Sequence, residues 1–233
     1  MHICTEVKMH IYDVVEKFYT LSKTPNHRYK SWEHCYRYFS GDPRSDEEKA
    51  LLHLDSYLAS WGMKRGSTRL LWKDYEVHKN VVNIVTNRRY LSIHGITLED
   101  SMRMIDLIFQ LKYIIFRIYK RILSDKDSYN PSDTLVTKVL LGTIGCFPAY
   151  DRFFREGLKD KGLPWATLSK NNFRKLIDFC QNHQDEFESV RKEISHNAGF
   201  EYPFMKIVDM YFWQIGYEAF EAERREKRGE AKV

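Results

Sequence analysis

The chain has 233 residues, of which 43% are hydrophobic and 15% aromatic, a composition that excludes a disordered protein and allows a substantial core. Lys and Arg exceed Asp and Glu by 37 to 32, an excess too small to indicate a polyanionic partner by itself. The four cysteines lie far apart without a CxxC pair, so we expect reduced thiols and no metal site. No stretch is apolar enough for a signal peptide or a membrane span, so we expect a cytoplasmic protein. No cofactor is expected.

Apolar residues recur at helical spacing through the first part of the chain. The pattern predicts four helices, over 7–21, 30–39, 46–61 and 67–90. Ser45 followed by Glu48 forms a capping-box pattern at the start of the third helix. The β-branched residues of 67–90 also allow a strand there, so both alternatives stay open.

The rest of the chain has the same helical character. Thr97 with Asp100 predicts the start of a long helix that continues to about Leu123. The segment near 124–132 is the most loop-like, and a division of the domain, if there is one, falls there. Five further helices are predicted, over 133–141, 147–159, 169–182, 184–195 and 203–228. We therefore predict an all-α fold, a compact bundle of about nine to ten helices in a single domain over 1–233.

The stretch LLGTIGCFPAYDRFF, residues 140–154, is the densest candidate motif. Gly142 is predicted to stop one helix and Pro148 to start the next. The run LGTIGCFPA resembles the hairpin of helix–hairpin–helix DNA-binding elements, although Gly142 and Thr143 stand where that family has Pro-Gly. The matching positions are Leu141, Ile144, Gly145 and Ala149. The resemblance implies that backbone amides at Gly142 and Gly145 bind a nucleic-acid phosphate without reading bases; the alternative is an ordinary packed connection between two helices.

Asp151 and Arg152 follow this turn directly. Glycosylases of the helix–hairpin–helix class carry an aspartate farther downstream, so that catalytic role is not transferred to Asp151. An acid in the first turn of a helix is explained by the helix dipole. Arg152 is counted with the turn as a candidate phosphate ligand.

A second candidate anion site lies between Gly62 and Gly66. Arg65 and Arg69 flank the start of the next predicted helix, where backbone amides and guanidinium groups together suit a phosphate. The alternative is a capped loop whose arginines pair with acids elsewhere.

The segment ESVRKEISHNAG carries Arg191 and His196 near the end of a predicted helix. This Arg-x4-His spacing resembles the motif of HEPN ribonucleases. The resemblance implies a homodimer that cleaves RNA without metal, with His196 as acid/base and Arg191 stabilising the charge of the transition state. Lys192 stands where that family frequently has Asn, and a solvated helix end is the alternative interpretation.

Asp209 lies in YPFMKIVDMYFWQIG, a helix that is apolar nearly all round and is therefore predicted to run through the centre. A buried carboxylate must be paired, hydrogen-bonded or neutral. We predict a partner such as Arg65 or Arg152, and a general acid/base role facing a cleft is the functional alternative.

Several longer segments resemble a family of uncharacterised bacterial proteins across most of the chain. They are RYKSWEHCY, YLASWGM-RGS, LLGTIGCFPAYDRFF and YP-MK-VDMYFWQIG. This resemblance implies an intact fold and a bacterial origin but no activity. Three functions stay open: a nucleic-acid-associated protein of DNA or RNA processing or phage defence, which we favour, a HEPN-like ribonuclease, and a non-enzymatic interaction module.

Overall fold

The computed structural model describes residues 10–124 and 128–229. Over these ranges the chain forms helices and no strand, which confirms the predicted all-α class. The α-helices are α1 (Ile11–Lys23), α2 (Lys30–Ser40), α3 (Glu47–Ser60), α4 (Lys79–Val85), α5 (Leu98–Arg103), α6 (Ile105–Leu123), α7 (Asp133–Thr143), α8 (Arg152–Asp160), α9 (Lys170–Asn182), α10 (Gln184–Ala198) and α11 (Phe204–Lys227). Among the described helices, none has the length and apolar character that crossing a bilayer requires.

Helix α11 runs through the middle of the bundle, as its apolar sequence predicts. Every residue from Phe204 to Gly216 is buried. Helix α8 packs on it with backbone against backbone, because Gly157 and Gly216 have no side chain between the two helices. A Cβ atom on Gly157 would lie 1.9 Å from the Phe212 carbonyl oxygen, and one on Gly216 would lie 2.0 Å from that of Phe153. This contact fixes the position of α8.

Helix α7 and the turn after it are buried without interruption from 135 to 150. The helix does not stop at Gly142 as predicted but continues to Thr143. The missing side chain at Gly142 lets the Tyr57 ring approach, since a Cβ atom there would lie 2.4 Å from its Cε1. The next helix begins at Arg152 rather than near 147, because Asp151 is its N-cap and accepts the Phe154 N–H.

The segment 67–90 differs most from the prediction of one long helix or a strand. It contains a short helix, α4, among 3-10 segments at Gly66–Thr68, Leu70–Trp72, Tyr75–His78 and Arg88–Ile93. Arg69 has a φ of 61°, the left-handed region that interrupts a regular helix. His78 is fully buried and bonded to side chains of other helices, with Nδ1 2.8 Å from the Tyr119 hydroxyl and Nε2 3.1 Å from Asp55. These tertiary contacts override the local helical pattern.

The other predicted helix starts are mostly close to those observed. Thr97 caps α5 by accepting the Asp100 N–H, as predicted, although Met104 divides the long helix into α5 and α6. Asp46, not Ser45, caps α3. Three of the cysteines, Cys35, Cys146 and Cys180, are buried free thiols. Some predicted features lie outside the described residues. They are Cys4, the first residues of the predicted 7–21 helix, 125–127 in the predicted loop, and 230–233.

Candidate functional site

A cavity of about 420 Å³ opens between the end of α3, helix α7 and the first turn of α8. We call it the arginine pocket. Its charged lining consists of four cations and two carboxylates, namely Arg65, Lys138, Arg152, Arg155, Asp151 and Glu156. The indoles of Trp61 and Trp165 also line it. The excess of positive charge makes this recess suited to an anion.

The turn after α3 holds Arg65 at the rim of the arginine pocket. The Thr68 hydroxyl donates to the carbonyl oxygen of Arg65 at 2.8 Å and also to that of Met63, which fixes the backbone on both sides of the arginine. The Arg65 side chain itself is exposed and forms no ion pair within the described ranges. Its guanidinium is therefore available to a ligand.

Lys138 and Asp151 form the floor of the pocket. The Lys138 side chain is 4% exposed, and its Nζ lies 3.0 Å from Asp151 Oδ2 and 4.8 Å from the centre of the Trp61 ring. The other carboxylate oxygen of Asp151 accepts the Phe154 N–H at 3.1 Å. Because these two charges neutralise each other, Glu156 is the one carboxylate of the described lining that remains against the three arginines.

Arg152 and Arg155 project from the first turn of α8. The guanidinium of Arg152 lies over the Phe220 ring at 4.4 Å. Arg155 Nε donates to the carbonyl oxygen of Trp165 at 3.1 Å, and its guanidinium lies 5.6 Å from the Trp165 ring. Lys159 Nζ is 5.5 Å from the same ring, so this partly exposed indole is flanked by two cations.

Asp209 lies behind the pocket floor and is buried, as predicted, but its partner is not an arginine. Its Oδ2 is 2.9 Å from Lys206 Nζ, three residues earlier on the same face of α11, and its Oδ1 accepts the Ala149 N–H at 2.9 Å. The predicted partners Arg65 and Arg152 line the pocket instead. Burial raises the pKa of the Asp209 carboxyl, and Lys206 opposes that shift.

A gap of about 10 Å³, roughly the room of one water molecule, separates the Lys206–Asp209 pair from the Lys138–Asp151 pair. Trp61 lies at both the gap and the arginine pocket. Its Nε1 is buried and has no hydrogen-bond partner among the described residues. Asp209 lines this gap and does not line the arginine pocket.

The glycine turn is not a phosphate site in this structure. Gly145 has a φ of 70°, and a Cβ atom on it would lie 2.7 Å from the Pro203 ring. Its N–H donates to the Leu140 carbonyl oxygen at 2.8 Å, and the Tyr150 N–H donates to the Thr137 hydroxyl at 2.8 Å. The burial of the turn and the partner of the Gly145 N–H argue against the predicted phosphate contacts of Gly142 and Gly145.

The remaining phosphate candidates separate into two groups. Arg65 and Arg152, which are far apart in sequence, meet in the arginine pocket. Arg69 points elsewhere: its NH1 donates to the Leu123 carbonyl oxygen at 3.1 Å, and its guanidinium lies 4.8 Å from the Tyr129 ring. Arg69 therefore connects its turn to the end of α6.

Arg191 and His196 are not brought together within one chain. Arg191 forms ion pairs with Glu188 at 2.8 Å and with Glu201 at 2.9 Å, and it lines a separate cavity of about 540 Å³. His196 is exposed and does not line that cavity. Their meeting across a two-fold axis stays a prediction.

The residues that the sequence analysis missed are Lys138, Arg155 and Trp165. Lys138 had a legible signal, since a lysine in the apolar helix TLVTKVLLG needs a partner and Asp151 follows within the same motif. Trp165 had no such signal in the sequence, because the loop that carries it has no periodic pattern.

In the described part of the chain, His, Cys, Asp and Glu side chains form no group of three or more that could hold a metal ion.

Comparison with protein-family models, with curated proteins and with solved structures finds no match. The arginine pocket presents the guanidinium groups of three arginines and the indole of Trp165, which lies between Arg155 and Lys159.

Proposed function

We propose that the protein binds nucleic acid and that the arginine pocket receives one of its phosphate groups. The observation that carries this proposal is the meeting of Arg65, Arg152 and Arg155 above a floor whose own charges are already paired. A guanidinium presents its donors in a planar fork that matches two phosphate oxygens. None of the three arginines forms an ion pair within the described ranges. Arg155 donates to the carbonyl oxygens of Trp165 and Ala166, so Arg65 and Arg152 are the better placed to bind an external anion.

The indole beside these arginines favours a nucleotide over a bare inorganic anion. Trp165 is 37% exposed, and Arg155 and Lys159 flank its ring. Proteins that bind unpaired nucleotides combine cationic grooves with aromatic rings on which bases stack. A cavity of about 420 Å³ also lies within the usual size range of small-ligand pockets, about 300–1,000 Å³.

The test is a fluorescence-anisotropy titration of labelled single-stranded and double-stranded DNA and RNA over a salt series. The variants are Arg65→Ala, Arg152→Ala and the two together, and the matched control is Arg103→Ala, which removes the same charge from α5, where Arg103 pairs with Asp100. The logarithm of the binding constant falls as the logarithm of the salt concentration rises. Each lost phosphate contact should make that slope less negative by about 0.7–0.9. Binding by the double variant equal to that of the control would overturn the proposal.

A further inference from the structure

A second cationic cavity, of about 560 Å³, lies along the outer face of α6 near its C-terminal end. We call it the α6 groove. Its walls combine apolar, aromatic and basic side chains, namely Tyr113, Ile114, Arg117, Ile118, Lys120 and Arg121. Among the described residues no acidic one lines it, and its three cations form no ion pair there. Tyr113 is 59% exposed, so its ring is accessible from solvent.

A chain of three hydrogen bonds connects the α6 groove to the turn that carries Arg65. Ser124 lines the groove and donates through its hydroxyl to the Tyr129 carbonyl oxygen at 3.1 Å. The Tyr129 hydroxyl in turn donates to the carbonyl oxygen of Thr68 at 3.0 Å. Thr68 holds the backbone of Arg65, so the turn that places Arg65 in the pocket is bonded to the end of the groove.

We propose that a single strand of nucleic acid crosses this turn and occupies both cavities at once. The proposal rests on the proposed function of the arginine pocket and adds the class of nucleic acid and the path that it follows. One nucleotide enters the arginine pocket beside Trp165, and the phosphates that follow pass Arg65 to reach Arg117 and Arg121. A base near the groove stacks on Tyr113.

A single strand fits these surfaces better than a duplex does. Both cavities offer partly exposed aromatic rings next to cations, and unpaired bases gain by stacking on such rings. The bases of a duplex are already stacked on one another and gain nothing from an additional ring. Charge complementarity and the hydrogen-bonded connection between the two cavities therefore favour a flexible strand that follows the surface.

The experiment measures the affinity of thymidine oligonucleotides, from the monophosphate to about sixteen nucleotides, the upper range for a single-strand site. The variants are Arg117→Ala with Arg121→Ala, Arg65→Ala with Arg152→Ala, and Tyr113→Ala, with Arg103→Ala as control. All the substituted side chains are exposed, and thermal unfolding checks that each variant is folded.

In the wild type, affinity should rise with length until the strand reaches the groove and then level off. The Arg117/Arg121 variant should lose that gain while it binds the shortest oligonucleotides as the wild type does. Tyr113→Ala should weaken the long oligonucleotides about fivefold or more. The Arg65/Arg152 variant should weaken every length.

Two results would overturn the inference and leave the proposed function intact. One is an affinity of the Arg117/Arg121 variant that rises with oligonucleotide length as much as that of the wild type, while the Arg65/Arg152 variant binds weakly. The other is a blunt duplex that binds as tightly as the single strand. If the Arg65/Arg152 variant also binds every length as the wild type does, both proposals fail.

Discussion

Lys138 Nζ lies 3.0 Å from Asp151 Oδ2, so the lysine on the buried face of α7 is neutralised by the residue that caps α8. The pair joins two consecutive helices at the floor of the arginine pocket. Its members are 4% and 14% exposed, so each would be an uncompensated charge in a poorly hydrated place if the other were removed.

Replacing Lys138 by Met should therefore destabilise the fold by about 3–5 kcal/mol, the usual effect of removing one partner of a buried pair. Urea unfolding measures the change. Adding Asp151→Asn to Lys138→Met should recover part of the loss, because Asn can still cap α8. The control is Lys170→Met, which breaks an exposed pair with Asp106 and should change stability by less than about 1 kcal/mol. Equal losses in the two single variants would contradict the prediction.

Gly145 and Gly162 distinguish steric crowding from backbone strain. Both have positive φ, 70° and 69°, but a Cβ atom would strike Pro203 at Gly145 and meet nothing within 4 Å at Gly162. Alanine at either position should cost about 1–2 kcal/mol of strain. Gly145→Ala should cost about 1–3 kcal/mol more from crowding. Thermal unfolding measures both, and similar midpoints would mean that the turn is not packed as described.

The stability of the fold should fall as the pH falls below about 6.5, the ordinary pKa of histidine. Burial lowers the pKa of His78, although Asp55 opposes that shift. The unfolded chain then binds more protons than the folded one in the window between the lowered pKa and 6.5, so unfolding is favoured as the pH decreases. Burial shifts the pKa of His94 in the same direction.

The measurement is the free energy of unfolding in urea at several pH values from about 7.5 to 5.5, the window in which His78 gains its proton on unfolding. His78→Gln removes this group and should flatten the pH dependence, although it also lowers the stability at every pH. Because of that loss, the two proteins are compared by their slopes against pH and not by their absolute free energies of unfolding. A slope that His78→Gln does not alter would argue against the prediction.

Arg191 should behave as a structural residue in the single chain. It pairs with Glu188 and Glu201 and donates to the Tyr202 carbonyl oxygen at 3.2 Å. Arg191→Met should cost about 1 kcal/mol, since the arginine is partly exposed, and His196→Ala should cost almost nothing. Chemical unfolding tests this. Cleavage of labelled RNA that both substitutions abolish would instead support the HEPN interpretation.

The sequence alone predicts much of the helical framework. Apolar spacing gives the course of most helices, and Thr97 with Asp100 forms the expected cap. The segment 67–90 could not be predicted, because a left-handed Arg69 and the bonds of buried His78 shape it through contacts with distant parts of the chain.

The candidate site was predictable in its parts but not in its assembly. Arg65 and Arg152 stand out in the sequence, yet only the packing of α8 on α11 places them in one cavity. Gly142 and Gly145 look like ligand-binding glycines, but they serve the close approach of Tyr57 and Pro203. Local sequence does not tell whether a glycine admits a ligand or a neighbouring side chain.

The backbone contact between Gly157 and Gly216 has a consequence for recognition. It immobilises the main chain of α8 against the most buried helix of the molecule, so the Cα atoms of Arg152 and Arg155 are in position before any ligand arrives. The ligand then has to order only the ends of side chains, each at a cost of about 0.5–1.5 kcal/mol, and no backbone segment. The backbone that carries Arg152 and Arg155 is in this sense preorganised.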